Sequence, residues 1–407
     1  MKIDSKNIML YFVVLYPFSF YTFIDIRIFG TSMSFLRDVA FFLALVFFLL
    51  SIRVEKESSK VTGNVSFVLL FLFCFNALVL MSFIVSSDRM LVLPFLLRSF
   101  ILLLIVTITE KLEYDDFSLM KMVNYLGVCF LVYTIGSLLT IPVIGFSSAG
   151  GIEGLAGQHF SKFIFLLSSI FYLSLYLRFN KSLGNLCGLV ISLVAMFLVL
   201  QRGAIIAFVI AAFVIFVAGN YRRKIVGTIV FLMLLPFFLF YLSTDDSIMQ
   251  YAFFEGYGPD VIFSSLLDGT FDWSMIRARG RFELMEIITY NSDLTVLGNG
   301  AGYVKRLLSD YFFIDKEPHN DFLFILYDFG MVTLLILIFL ILSMLGIDIE
   351  RNGVNSPRKV LLIFSKASIL GMSFWMIVSN VLIYSTYALM IPFFVIISAS
   401  KFYKEPL

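Results

Sequence analysis

An all-α polytopic membrane protein with about 12 transmembrane helices is the fold class this sequence predicts, on three observations. First, 60% of the 407 residues are hydrophobic and 14% charged, where a soluble domain runs nearer ~45–50% and about 25%. A mean hydropathy of +0.98 lies on the same side. Second, the apolar residues gather into runs long enough to cross a bilayer. Third, the basic residues of the short connections fall almost wholly on one side. Together these exclude a water-soluble enzyme. They also speak against a nucleic-acid partner: 30 Lys and Arg against 28 Asp and Glu leave a net charge of only +2, too small a basic excess for that role.

A spanning helix needs about 20 mainly apolar residues. Such runs lie at 8–24, 33–52, 65–85, 90–108, 122–144, 160–177, 186–201, 203–218, 225–242, 321–346, 360–384 and 386–400. The first run lacks a small-residue cleavage site and leads into another span, so it is expected to remain as a helix. Cys74, Cys129 and Cys187 sit inside apolar runs without metal-ligand spacing and are expected to act as small packed hydrophobes. With the N-terminus inside, the inner connections carry seventeen basic residues: Lys2, Lys6, Arg53, Lys56, Lys60, Lys111, Lys121, Arg178, Lys181, Arg222, Arg223, Lys224, Arg351, Arg358, Lys359, Lys401 and Lys404. The short outer connections carry four, Arg27, Arg37, Arg89 and Lys162. That asymmetry puts both termini inside. Residues 1–407 then form a single integral membrane domain, with 243–320 inserted as one long outer loop between the ninth and tenth spans. No inner loop is long enough for a folded soluble domain, so chemistry belongs to the outer face or the membrane. No GxxxxGK[ST] loop is present, which argues against ATP as a direct donor.

Charges in apolar surroundings carry the functional signal. Arg202 lies between two apolar runs at the outer end of a tight helix-to-helix turn. An arginine near a bilayer centre costs roughly 2.5–3.5 kcal/mol, less near the interface. It therefore either snorkels to headgroups or meets a carboxylate, a water-filled cavity or an anionic ligand. Arg98, in the middle of the fourth run, either pairs with an internal acid or adds charge to the same cavity. In the long loop, Arg277, Arg279 and Arg281 precede Phe282-Glu283-Leu284-Met285-Glu286-Ile287-Ile288. Apolar residues at 284, 287 and 288 with acids at 283 and 286 predict a short amphipathic helix from near Gly280. Guanidiniums at its start add to the positive dipole end, which suits an anion; a patch touching lipid headgroups is the alternative. Gly298-Asn299-Gly300-Ala301-Gly302 has no strand–helix unit around it and is expected as a turn or a close backbone approach. Pro318-His319-Asn320-Asp321 opens the tenth span, with Pro suited to a helix start and Asn or Asp to capping. There the dipole disfavours an imidazolium at His319, and a neutral imidazole can accept a proton from a hydroxyl. His159, at the start of the sixth span, shares that face and is expected to be an interface histidine.

Arg202, Arg281 and His319 are thus distant in sequence and share one predicted face. Two guanidiniums beside a neutral imidazole suit a lipid-linked pyrophosphate reacting with an alcohol. Arginine forks clamp phosphate oxygens and neutralise charge growing on the leaving group. No outer-face cluster of Asp, Glu and His has metal-ligand spacing, and Asp245-Asp246 is an isolated, solvated pair, so metal independence is expected.

In this order, Gln201-Arg202-Gly203-Ala204, Gly280-Arg281-Phe282, Gly298-Asn299-Gly300-Ala301-Gly302, and His319-Asn320-Asp321-Phe322-Leu323 ahead of Asp328-Phe329-Gly330 resemble the ordered signature of the bacterial O-antigen ligase/polymerase superfamily. The resemblance covers roughly residues 195–335. It implies an inner-membrane protein of lipopolysaccharide biosynthesis with a GT-C-like fold, a large periplasmic loop and an active site facing the periplasm. The implied activity is that of a metal-independent, inverting glycosyltransferase without cofactor, using an undecaprenyl-pyrophosphate-linked oligosaccharide as donor. Arg202 and Arg281 would bind the pyrophosphate, with Arg277, Arg279 and Arg98 as further candidates, and His319 would activate or position the acceptor hydroxyl. Membrane lipids and a chain-length regulator protein are the other implied partners. Two departures stand out: many relatives place tryptophan where this chain has Met285, and residues 154–160 match only loosely. The first favours a Wzy-type O-antigen polymerase. The alternatives are an O-antigen ligase acting on lipid A–core and, in a different class, a lipid-linked oligosaccharide flippase.

Overall fold

The computed structural model describes residues 5–18, 27–28, 31–52, 63–139, 158–198, 202–218, 264–265, 267–270, 281–313, 318–347, 356–377, 379 and 381–400. Among them are α1 (Ser5–Phe18), α2 (Met33–Ser51), α3 (Gly63–Val85), α4 (Leu93–Lys111), α5 (Asp116–Leu139), α6 (Gln158–Arg178), α7 (Leu183–Leu198), α8 (Arg202–Val217), α9 (Arg281–Asn291), α10 (Tyr303–Phe312), α11 (Asp321–Phe329), α12 (Met331–Leu345), α13 (Pro357–Met376) and α14 (Val381–Ser400). A two-residue antiparallel ladder, β1 (Arg27–Ile28) with β2 (Thr31–Ser32), is the strand pairing among the described residues. The chain is a helical membrane protein. Five helical stretches, Val65–Val85, Arg89–Lys111, Asp116–Leu139, Ser161–Arg178 and Pro357–Met376, are long and apolar enough to cross a membrane, and four more apolar helices are shorter.

Local chemistry fixes several helix starts. Ser356 accepts from Lys359 N at 3.2 Å, and Pro357 fills the first position of α13, where a missing N–H costs nothing. Asp115 accepts from Ser118 N at 3.0 Å ahead of α5. A 3₁₀ turn, Arg89–Val92, leads into α4, with Pro94 in its first turn.

Burial separates interior helices from outer ones. In α6 and α13, 78% of the apolar window is buried inside the protein, against 39–44% in α3, α4 and α5. The outer helices therefore present the apolar side chains that lipid can cover, among them Phe67, Phe73, Ile84 and Val132. α13 is the hub, packing against α8, α14 and α6. Its antiparallel approach to α8 runs along small residues: a side chain at Gly371 would collide with the Ala207 carbonyl, and one at Gly203 with Trp375. Gly203, Ala207 and Ala211 recur every fourth residue, so one stripe of α8 admits α13 closely. Between α6 and α7, Ser168 and Ser192 share a buried 2.6 Å hydrogen bond.

Contacts also align the helix ends. Arg178, at the end of α6, donates to the carbonyls of Ile215 and Phe216 at the end of α8, where a cation complements the dipole. The starts of the same two helices meet at Trp375, which stacks near Phe163 and covers Gly203. We refer to this second end, which also holds the α3–α4 loop, as the upper end.

The structure corrects one expected span. The run 321–346 is two helices, broken at Gly330 with φ +92°. A Cβ at Gly330 would overlap the Val296 carbonyl, so the chain bends there against residues 295–298. Among the described residues the first helix covers Ser5–Phe18 and the last Val381–Ser400. The run 225–242 lies outside the described residues.

Candidate functional site

The site is built on the start of α11. Pro318 is buried, His319 is half-buried, and Asn320 is the extended N-cap, its side chain accepting from Leu323 N at 3.0 Å. His319 has φ +52°, a left-handed backbone that an L-residue adopts at a cost. Its neighbours hold it there. Asn320 Nδ2 reaches Met285 Sδ at 3.8 Å, tying the position to α9. Asp321, fully buried, accepts from Val381 N at 2.5 Å and Leu382 N at 2.7 Å. A carboxylate thus occupies the N-terminus of α14, satisfying two donors that the helix leaves open.

A second buried carboxylate repeats the arrangement one helix length later. Asp328 accepts from Gly302 N at 2.7 Å and Val304 N at 2.8 Å, at the start of α10. The glycine string before α10 docks on the end of α11: Asn299 N donates to Tyr327 O at 2.7 Å and Gly300 N to Asp328 O at 3.1 Å. Side chains are excluded there, since a Cβ at Gly298 would overlap Asp328 O and one at Gly302 would overlap Asp88 O. The string is the close backbone approach that the sequence predicts. From the α3–α4 side, Ser82 Oγ donates to Asp328 O at 3.0 Å, Ser86 Oγ to Ala301 O at 2.7 Å, and Arg306 pairs with Asp88 at 2.6 Å. The predicted amphipathic helix is α9: Leu284, Ile287 and Ile288 are buried and Glu286 is exposed. They form a small core with Val304, Leu308 and Tyr327, so α9, α10 and α11 pack as one unit. Phe95, Phe324 and Phe329, with ring centroids 5.4–5.6 Å apart, seat that unit on the start of α4.

The predicted arginines fall as follows. Arg202 in α8 and Arg281 in α9 are helical by backbone, each the first described residue of its helix; their side chains lie outside the described residues, as do Arg277 and Arg279 entirely. Arg281 begins the turn that leads to Met285, about 6 Å along the helix axis, and Met285 touches Asn320. Gly203, next to Arg202, lies under Trp375, near the end of α13. His159 is in the first turn of α6, its side chain also outside the described residues. Arg98 takes the internal-acid alternative: its Nε lies 3.1 Å from Asp38 Oδ2, while Asp38 Oδ1 accepts from Arg37 at 2.9 Å and Tyr16 OH at 2.8 Å. Asp38 is fully buried, and this cluster joins α1, α2 and α4 near the upper end.

The sequence reading passed over four groups. In sequence Asp321 and Asp328 are only parts of a motif, nothing there pairs Asp38 with Arg98, and Lys162 reads as a loop charge, whereas it is buried in the structure. An acid in an apolar run was the available signal for Asp38; nothing local marks an aspartate that binds helix N-termini elsewhere in the chain.

Among the described residues no group of three or more His, Cys, Asp or Glu is arranged to hold a metal ion. The fold and the polar cluster at the upper end thus define a polytopic helical membrane protein with a polar site at one end of its bundle. Comparison of the chain with protein-family models and with characterised proteins gives no match.

Proposed function

We propose that the chain is an O-antigen polymerase of the Wzy type, an inverting glycosyltransferase that extends lipid-linked glycans on the periplasmic side of the inner membrane. The observation that carries this reading is the strained backbone of His319. Left-handed φ at a non-glycine residue persists where the surroundings over-determine it, and such positions concentrate at functional sites. Here Asn320 and Asp321 both anchor the backbone just after the imidazole.

In the proposed reaction a terminal sugar hydroxyl of one lipid-linked repeat unit attacks the anomeric carbon of a second, lipid-linked chain. The C–O bond to pyrophosphate breaks, its electron pair leaves with undecaprenyl pyrophosphate, and the anomeric carbon inverts. His319 takes the hydroxyl proton. Arg202 and Arg281 stabilise the charge on the departing diphosphate. The topology proposed with it is twelve spans of GT-C-like arrangement. In its support, α8 ends at the lower end and α11 begins at the upper, and by its sequence the run 225–242 is apolar enough to span a bilayer.

The test is turnover by purified protein in nanodiscs given an undecaprenyl-pyrophosphate-linked repeat unit. A ladder of products is expected, unaffected by EDTA, and absent in His319→Ala at normal abundance. Arg202→Lys should also be impaired, because lysine keeps the charge and loses the fork. Wild-type ladders from both variants would remove the proposed site. In cells, loss of the protein should leave lipid A–core capped with a single repeat unit; bare core would mark a ligase instead.

A further inference from the structure

We propose that residues 294–297 form an interfacial lipid anchor, a loop whose Leu294, Val296 and Leu297 side chains enter the upper leaflet beside the start of α12. The three side chains are 56%, 62% and 62% exposed. Thr295 turns the other way, its hydroxyl oxygen buried, so Leu294 and Val296 share the outward side. Large apolar side chains standing open next to one another mark an interaction surface.

That surface is continuous with the lipid-facing one. Met331, Leu335 and Leu342 are exposed along α12, and Met81, Ile84 and Val85 on the last turns of α3, which packs against α12. The loop joins this belt at a fixed height. Its carbonyls at Thr295 and Val296 accept from Met331 N at 3.3 Å and Val332 N at 3.4 Å. Ser82 and Ser86, at the top of α3, bind Asp328 O and Ala301 O next to it.

Helix length shows what the loop supplies. α12 has 15 residues and rises about 22 Å, against about 30 Å of hydrocarbon. Asp348, Glu350 and Arg351 follow just beyond its lower end, so the missing height lies above Met331. Beside it, α3 has 23 residues, rises about 34 Å and covers the full thickness. Above the break at Gly330, α11 is mostly buried and offers lipid little; the loop fills that gap in the belt. A helix that starts within hydrocarbon also leaves N–H groups open, and there only protein can satisfy them. The Thr295 and Val296 carbonyls do so for the first two residues of α12. Asp293, exposed next to Leu294, limits the entry to the interface, since an acid at depth is costly. Because α9, α10 and α11 pack as one unit, the anchor seats that unit, and His319 with it, near headgroup level whatever reaction occurs there.

The experiment places single nitroxide labels on the full chain with Cys74, Cys129 and Cys187 replaced, in phosphatidylcholine nanodiscs, at Val296→Cys, Leu297→Cys, Ile84→Cys and Asp310→Cys. Collisions with dissolved oxygen, which concentrates in lipid, are compared with collisions with a water-soluble nickel chelate. Oxygen should dominate at Val296→Cys and Leu297→Cys, as at Ile84→Cys, and the chelate at the exposed Asp310 position of α10. Dominance of the chelate at both loop positions overturns the proposal and leaves a wetted loop. Protection from both reagents also overturns it, because a second copy of the chain then covers the surface. Should the cysteine-replaced chain fail to fold, Leu297→Trp in the chain with its own cysteines gives the same decision. Brominated lipids should quench its added fluorescence; quenching by aqueous acrylamide instead overturns the proposal.

Discussion

His319 holds a backbone conformation that costs an L-residue roughly 1–2 kcal/mol, and glycine would occupy it freely. This separates strain from chemistry. His319→Gly should melt at the same or a higher temperature than wild type while forming no polymer; a glycine variant that still polymerises would show that the imidazole does no chemistry. The sequence marked His319 by its rarity and by the helix start that follows it. It could not mark the strain, which is set by Asn320 and Asp321 binding partners on α9 and α14. The same limit applies to charge. Arg98 had two readings from sequence, and the choice was made by Asp38, sixty positions away on another helix.

At the scale of elements, helix ends were legible where the cap is local and illegible where it is not. Asp115 is a local case. Hydrogen bonds from Ser118, the side chain foremost, hold its carboxyl below the ordinary value of 3.8. A carboxyl lowered on folding adds stability above its unfolded value and loses it as pH falls through the folded one. The advantage of wild type over Asp115→Asn, about 0.3–1 kcal/mol at low salt for an anion at a helix start, should therefore be present at neutral pH and fade as pH falls from about 3.8 through the lowered folded-state value. A gap that persists in acid would show that charge plays no part in the cap. The break at Gly330 is the opposite case. Residues 321–346 read as one hydropathic run, and only the approach of Val296 and Leu297 shows why the helix must stop. Close packing is likewise unmarked: Gly371 is one of 25 glycines, and its role comes from Ala207 on the facing helix. Gly371→Val should force α8 and α13 apart and cost on the order of 1–3 kcal/mol, read as a lower melting temperature in detergent. An unchanged melting temperature would mean the contact is slack.

For the whole molecule, orientation is the property to test, because it decides which compartment meets His319. Arg89 is exposed in the α3–α4 loop beside the glycine string, and Lys181 is exposed at the opposite end, between α6 and α7. In a background with Cys74, Cys129 and Cys187 replaced, Arg89→Cys should react with a membrane-impermeant maleimide in intact cells whose outer membrane is permeabilised. Lys181→Cys should react only after lysis. The reverse pattern would place the site in the cytoplasm and remove lipid-linked periplasmic glycans as its substrate.

Composition and apolar run length were enough to determine that the chain is helical and membrane-embedded, since hydrocarbon permits few other ways to satisfy a backbone. Motif order was enough to nominate His319 and the arginines. Tertiary structure decided which charges neutralise each other and which helix ends two buried aspartates close, and it showed Lys162 to be buried. These are questions of partnership between distant residues. Hydropathy is a property of each segment alone, whereas a carboxylate's role depends on which donor the fold brings to it.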